Sequence, residues 1–116
     1  MYKVSKRMEI ACSHQLKLNY ESPCENLHGH NLIVTIYAKA EKLDENGMVI
    51  DFKHLKNKIH NQLDHKHLNN VVDFNPTAEN LAKWIADEVN LIRIGATCYK
   101  VTVQESEGNI ATWEMD

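Results

Sequence analysis

Two imidazoles two residues apart, His28 and His30, follow a thiol in the segment Cys24-Glu25-Asn26-Leu27-His28-Gly29-His30. On a β-strand, alternation carries both rings to one face, about 6–7 Å apart along the backbone. Two nitrogen ligands so placed can grip one metal ion. A third histidine, His14, stands upstream in Ala11-Cys12-Ser13-His14-Gln15-Leu16. Three neutral imidazoles with a fourth position left open describe a catalytic zinc site better than a structural one. The chain has seven histidines, so an accidental His-x-His pair is easy to meet. The flanking residues weigh against accident. Asn31-Leu32-Ile33-Val34-Thr35-Ile36-Tyr37 is strongly β-prone, and His28, His30, Leu32, Val34 and Ile36 share one face of that strand. His14 likewise follows Met8, Ile10 and Cys12. Imidazoles at the mouths of two apolar stripes need polar partners, and a metal ion supplies them.

The elements that would carry these groups follow from periodicity and turn chemistry. Residues 2–14 read as one strand and 30–41 as a second, long enough to pair as a hairpin. A polar connection, 15–27, with Asn19, Ser22 and Pro23, joins them. Asp44-Glu45-Asn46-Gly47 is a turn. Phe52, Leu55, Ile59 and Leu63, at i, i+3, i+7 and i+11, mark the buried face of a helix that stops near Asp64. A second helix starts at Asn75-Pro76-Thr77, with Thr77 as its N-cap and Glu79 suited to its dipole. Leu81, Trp84, Ile85, Val89 and Ile92 form its buried side, and Gly95 ends it. Residues 98–106 and 109–115 make a closing hairpin around Glu107-Gly108-Asn109. The order is ββααββ, an antiparallel sheet carrying two helices on one face. This predicts an α+β domain.

Composition narrows the function classes. At 116 residues, 1–116 reads as a single domain able to bury a core without staples. A formal net charge of −3 and lysines spread along the chain argue against nucleic-acid binding. The apolar runs fall far short of the roughly 18–20 residues that span a bilayer. Met1-Tyr2-Lys3-Val4-Ser5-Lys6 leads straight into a strand and lacks the apolar core of a signal peptide. Three cysteines, odd in number and widely spaced, fit a reducing compartment, so a cytoplasmic protein is expected. Cys12 and Cys98 lie in strand patterns and read as small core residues. Cys24 follows Pro23 in a loop and is the thiol available for chemistry, as a metal ligand or as a base and nucleophile; the competing reading is an inert loop cysteine.

Two further carboxylates are candidates. Asp64 beside His65 could fix the orientation and tautomer of that imidazole and make it a proton shuttle, although adjacent residues do not automatically touch. Surface polarity at a helix end is the competing reading, and His54, His60 and His67 are read as surface residues. Tyr99, Val101, Val103 and Glu105 are expected on one face of the penultimate strand, so Glu105 extends an apolar row. A buried carboxylate needs a partner. A guanidine-like edge offers two parallel N–H donors to its two oxygens, and an ordinary ion pair would satisfy it equally.

These motifs occur in a recognisable order. Ala11-Cys12-Ser13-His14, the Cys24–His30 segment, Gly47-Met48-Val49-Ile50-Asp51-Phe52, Leu63-Asp64-His65-Lys66-His67-Leu68-Asn69, Pro76-Thr77-Ala78-Glu79-Asn80 and Val101-Thr102-Val103-Gln104-Glu105 span about 95 residues. Together they resemble the 6-pyruvoyl-tetrahydropterin synthase and 6-carboxy-tetrahydropterin synthase superfamily. The resemblance implies the tunnelling fold, in which small sheets close into a barrel by oligomerisation, commonly as homohexamers with active sites between subunits. It implies zinc held by His14, His28 and His30, with Cys24 as the proton-abstracting base. Asp64 with His65 becomes the second proton-transfer group, Glu105 the anchor of the pterin ring, and Thr77 and Glu79 neighbours of the pterin pocket. Ile10 stands where the family usually has phenylalanine, which alters packing rather than chemistry.

Spacing separates the branches. Three residues lie between Cys24 and His28, which is similar to the bacterial 6-carboxy-tetrahydropterin synthases of queuosine biosynthesis; the 6-pyruvoyl enzymes usually have a longer gap. The implied reaction converts a small-molecule pterin triphosphate, 7,8-dihydroneopterin triphosphate, to 6-carboxy-5,6,7,8-tetrahydropterin, acetaldehyde and triphosphate. Glu25 also creates a Glu-x-x-His-Gly-His pattern similar to relatives that form 6-hydroxymethyl-dihydropterin, which use the glutamate in place of the cysteine. A pterin- or zinc-binding module without catalysis would be expected to lack Cys24 or His65, and both are present.

Overall fold

The computed structural model describes residues 1–116. Two long strands dominate it: β1 (Tyr2–His14) and β2 (His28–Ala40). They pair antiparallel without a slip, from Tyr2 opposite Ala40 to His14 opposite His28. Met8 and Ile10 of β1 and Leu32, Val34, Ile36, Ala38 and Ala40 of β2 are buried, so the even-numbered face is the core face. β3 (Lys66–His67) adds a parallel pairing to β1 at Cys12 and Ser13. That strand has no periodicity long enough to be legible in the sequence. β4 (Thr97–Ser106) and β5 (Asn109–Glu114) complete a sheet of order β3-β1-β2-β4-β5.

The β2–β4 ladder breaks between Tyr37 and Ala38, which pair with Lys100 and Cys98 respectively. Tyr99 is the extra residue of a bulge. The expected face is corrected here: Cys98, not Tyr99, continues the buried row of Val101 and Val103. Tyr99 turns outward to Tyr37, with ring centroids 6.1 Å apart, beneath the Lys3 and Lys39 ammonium groups.

Helix α1 runs continuously over 52–63 in three stretches, Phe52–Leu55, Lys56–His60 and Asn61–Leu63, the middle one π-helical. Asp51 caps it by accepting the Lys53 N–H at 2.8 Å. Leu55, Ile59 and Leu63 are buried as the periodicity predicts. Phe52 is not. It lies in the first turn, largely exposed, with Lys6 over its ring. Helix α2 (Ala78–Val89) is capped by Thr77, whose hydroxyl accepts the Asn80 N–H at 3.1 Å. It buries Ala78, Leu81, Ala82, Ile85, Ala86 and Val89, while Trp84 and Ile92 sit half-buried at the margin. Both helices cover the core face of the sheet, which is the even-numbered face of β1 and β2, and the odd-numbered face of those two strands stays uncovered. No helix is long and apolar enough to cross a membrane.

Candidate metal centre and active site

The unslipped β1–β2 ladder builds the centre. His14 ends β1, His28 opens β2 directly opposite, and His30 lies one alternation further on the same face. Their ring centroids are 4.5–4.9 Å apart, edge to face. His14 Nε2 lies 2.8 Å from His28 Nε2, and Glu105 Oε1 stands 3.0 Å from His30 Nε2. One potential ligand atom from each of the four side chains falls within a span of 4.8 Å.

Backbone carbonyls set the tautomers. His14 Nδ1–H donates to the Pro76 carbonyl at 2.8 Å, and His28 Nδ1–H donates to the Asn26 carbonyl at 2.7 Å. Each Nε2 is then a bare lone pair, and two lone pairs facing at 2.8 Å repel unless a cation lies between them. His30 Nε2 is buried without a well-formed hydrogen bond of its own. Burial lowers the His14 pKa below its ordinary value, and the neighbouring His28 and His30 push the same way against the Pro76 carbonyl and Glu105. The ring is held in its neutral, ligating form. Three such nitrogens beside a carboxylate are the donor set of a divalent transition metal, and they fit zinc.

The remaining site residues stand outside this cluster. Cys24 sits half-buried in a short turn, Pro23–Glu25, where its N–H donates to Ser22 Oγ at 3.2 Å. Its carbonyl accepts the Leu16 N–H at 3.0 Å, which ties the turn to the chain just past His14. Asp64 and His65 do touch, with Oδ2 3.4 Å from Nε2, and His65 adopts a left-handed backbone (φ 57°). The Ala11 N–H bonded to Asp64 Oδ1 at 3.0 Å holds that carboxyl below its usual range, helped by His65 and His60. Asp64 lines a cavity of about 360 Å³ with Glu9, Ala11, Asn31, Ile33 and His60. Those strand residues are odd-numbered, so the Asp64–His65 pair attends the uncovered face while the histidine cluster extends the core face.

Other expectations change. His60 is half-buried and bonds the Glu9 carbonyl at 2.9 Å, and His67 Nδ1 bonds Ser13 Oγ at 3.0 Å, so neither is a free surface residue. His54 is exposed. Glu105 joins Glu79, Ala78 and the hairpin residues Gly108–Ala111 around a second cavity of about 310 Å³. Thr77 spends its hydroxyl on the helix cap. The contact of Glu105 with His30 and the carbonyls of Pro76 and Asn26 carry no sequence signal, because each depends on where the backbone passes.

The α+β fold and the convergent histidines define a protein with a group of side chains that could hold a metal ion. Residues 3–116 match the family described as 6-pyruvoyl tetrahydropterin synthase, and the chain belongs to that family. It is similar to the 6-carboxy-5,6,7,8-tetrahydropterin synthase of Bacillus subtilis, 31% identical with 90% of this chain and 80% of the relative covered. It is also similar to the human 6-pyruvoyl tetrahydrobiopterin synthase, 32% identical with 96% and 90% covered. In fold it resembles the Caenorhabditis elegans 6-pyruvoyl tetrahydropterin synthase structure, with a TM-score of 0.76, 24% identity, and 99% and 96% of the two chains covered.

Proposed function

We propose that this chain is a zinc-dependent 6-carboxy-tetrahydropterin synthase acting in queuosine (7-deazapurine) biosynthesis in the cytoplasm. Its reaction converts 7,8-dihydroneopterin triphosphate and one water to 6-carboxy-5,6,7,8-tetrahydropterin, acetaldehyde and triphosphate. The observation that carries the reading is the convergence of His14, His28 and His30 beside Glu105, with the Nε2 lone pairs of His14 and His28 turned inward and the Cys24 thiol four positions before His28. His14, His28 and His30 would hold the zinc, which when bound polarises side-chain oxygens and acidifies the carbon that bears them.

The protein groups then divide the work. Cys24 abstracts the proton from that carbon. Asp64 holds the His65 imidazole in place, and His65 moves the second proton. Glu105 accepts the two parallel N–H groups of the pterin edge, with Glu79 bordering the same cavity and Thr77 capping the helix that begins beside it. Because Asp64 and His65 attend the opposite face of the sheet from the histidine cluster, a complete site takes these groups from different subunits, as in a homohexamer whose barrels close by assembly.

The test is product analysis with the zinc-loaded protein and 7,8-dihydroneopterin triphosphate. The expected products are 6-carboxy-tetrahydropterin and acetaldehyde, both lost in Cys24→Ala. A dominant 6-pyruvoyl product would place the chain in another branch of the family. A 6-hydroxymethyl product that depends on Glu25 would favour the folate-type chemistry; in this fold Glu25 is exposed while Cys24 is half-buried, which supports the cysteine. No turnover with zinc bound would leave a binding module.

A further inference from the structure

Past His14 the chain leaves the sheet but keeps the hydrogen-bonding habit of a strand. Gln15 N–H donates to Asn69 Oδ1 and Gln15 C=O accepts from Asn69 Nδ2, both at 2.9 Å. Two residues on, Lys17 N–H donates to Asn75 Oδ1 and Lys17 C=O accepts from Asn75 Nδ2, again both at 2.9 Å. Leu16, between them, turns its N–H to the other edge and donates to the Cys24 carbonyl at 3.0 Å. Alternate residues of an extended chain present their polar groups to opposite edges in this way. A carboxamide carries one donor-bearing nitrogen and one acceptor oxygen in the planar arrangement of a peptide. Two asparagine side chains therefore stand where a neighbouring strand would be.

The consequence falls on the loop with the thiol. The edge of 15–17 that the asparagines leave free holds the Cys24 carbonyl through Leu16, and Gln15 Nε2 donates to the Glu25 carbonyl at 3.2 Å. The asparagines are themselves anchored. Asn69 lies in the turn Leu68–Asn70 that follows β3, and the Asn75 carbonyl accepts from Asn80 Nδ2 at 2.9 Å and from the Thr77 N–H at 2.8 Å. The next carbonyl, that of Pro76, bonds His14. One stretch of chain, 69–76, thus sets both a histidine of the cluster and the strand extension that carries Cys24.

We infer that Asn69 and Asn75 are positioning residues for Cys24: their carboxamides substitute for a sheet neighbour at Gln15 and Lys17, and the extension they hold straight places the thiol-bearing turn beside the histidine cluster. This rests on the reading of Cys24 as the base. Aspartate tests it with almost no change of shape. It keeps the bond from the strand N–H but sets an oxygen against the strand carbonyl, where asparagine places a donor.

Asn69→Asp and Asn75→Asp, singly and together, are compared with the unaltered full chain loaded with zinc. Three readouts are taken: hydrogen exchange of the Leu16 amide, the iodoacetamide alkylation rate of Cys24, and kcat and KM for 7,8-dihydroneopterin triphosphate. The Leu16 amide is expected to exchange at least about tenfold faster as local opening becomes easier. Cys24 is expected to alkylate faster, and kcat to fall about 10- to 100-fold with KM little changed, as misplacing a reacting group does. Unmodified Cys12 and Cys98 in the same samples show that the core stands; if the double variant loses its fold, the single variants carry the test. Unchanged exchange and labelling in both single variants overturn the inference, and so does a loss of activity that only tracks loss of zinc. Cys24→Ala separates the two levels. If Cys24→Ala turns over normally, the base reading fails, and exchange and labelling alone then decide the positioning role. If it is dead while the asparagine variants match the unaltered chain in all three readouts, the positioning inference alone fails.

Discussion

The histidine cluster is held by backbone carbonyls as much as by its neighbours. His14 gives its Nδ1–H to Pro76 and His28 gives its own to Asn26, which leaves both Nε2 atoms free for a metal. Replacing His28 with alanine should lower zinc per chain by more than about tenfold, read by metal analysis of the purified protein; unchanged zinc would place the ion elsewhere. Without metal, His14 makes stability depend on pH in a defined direction. Its pKa in the fold lies below the ordinary value of 6.5, so below that value the unfolded chain binds a proton that the folded chain refuses. Stability of the metal-free protein should therefore rise with pH up to about 6.5 and flatten above it, a slope that His14→Gln reduces in urea titrations. The thiols sort in the same manner. Burial pushes Cys12 and Cys98 each up to about 11, so both stay protonated at neutral pH. Iodoacetamide on the native protein should modify Cys24 first, as peptide mapping would show; equal labelling of all three cysteines would contradict the raised pKa of Cys12 and the burial of Cys98.

At the scale of elements, helix α1 shows how periodicity succeeds and where it stops. Leu55, Ile59 and Leu63 are spaced four apart and all enter the core. Phe52 belongs to the same series in sequence yet sits at the mouth of the helix, 47% exposed, with the Lys6 side chain of β1 over its ring. Ile59→Ala should cost about 2–4 kcal/mol through lost burial and the cavity left behind. Phe52→Ala should cost less, about 1 kcal/mol, because nearly half of the residue stays in water. Urea midpoints at constant m-value measure both, and equal losses would mean that Phe52 is buried in solution. The β4 bulge makes a similar point. A single extra residue exchanges Tyr99 for Cys98 in the core, and no alternation rule read from β4 alone contains it.

For the whole molecule, the sheet leaves work for assembly. β3 covers β1 only at Cys12 and Ser13, and β5 has no outer neighbour, so both edges stay open along most of their length. The odd face carries no helix. A shared active site predicts complementation: Cys24→Ala and His65→Ala, each inactive alone, should regain part of the activity when unfolded and refolded together. A mixture as inactive as its parents would place the complete site within one subunit. Sedimentation equilibrium of the same samples reads the copy number that the proposed hexamer requires.

Much of this protein was legible in its residues alone. The period-2 pattern put His28 and His30 on the core face, Thr77 announced its helix by cap chemistry, and the motif order identified the family, because each is a local property of neighbouring residues. Other features needed the folded chain. The pairing of His14 with His28, the approach of Glu105 to His30, the carbonyl of Pro76 on an imidazole 62 residues away, and the turning of Asp64 and His65 to the opposite face all join distant segments. Their positions follow from strand register and from how two helices settle on one sheet, which packing of the whole core decides and no local pattern encodes.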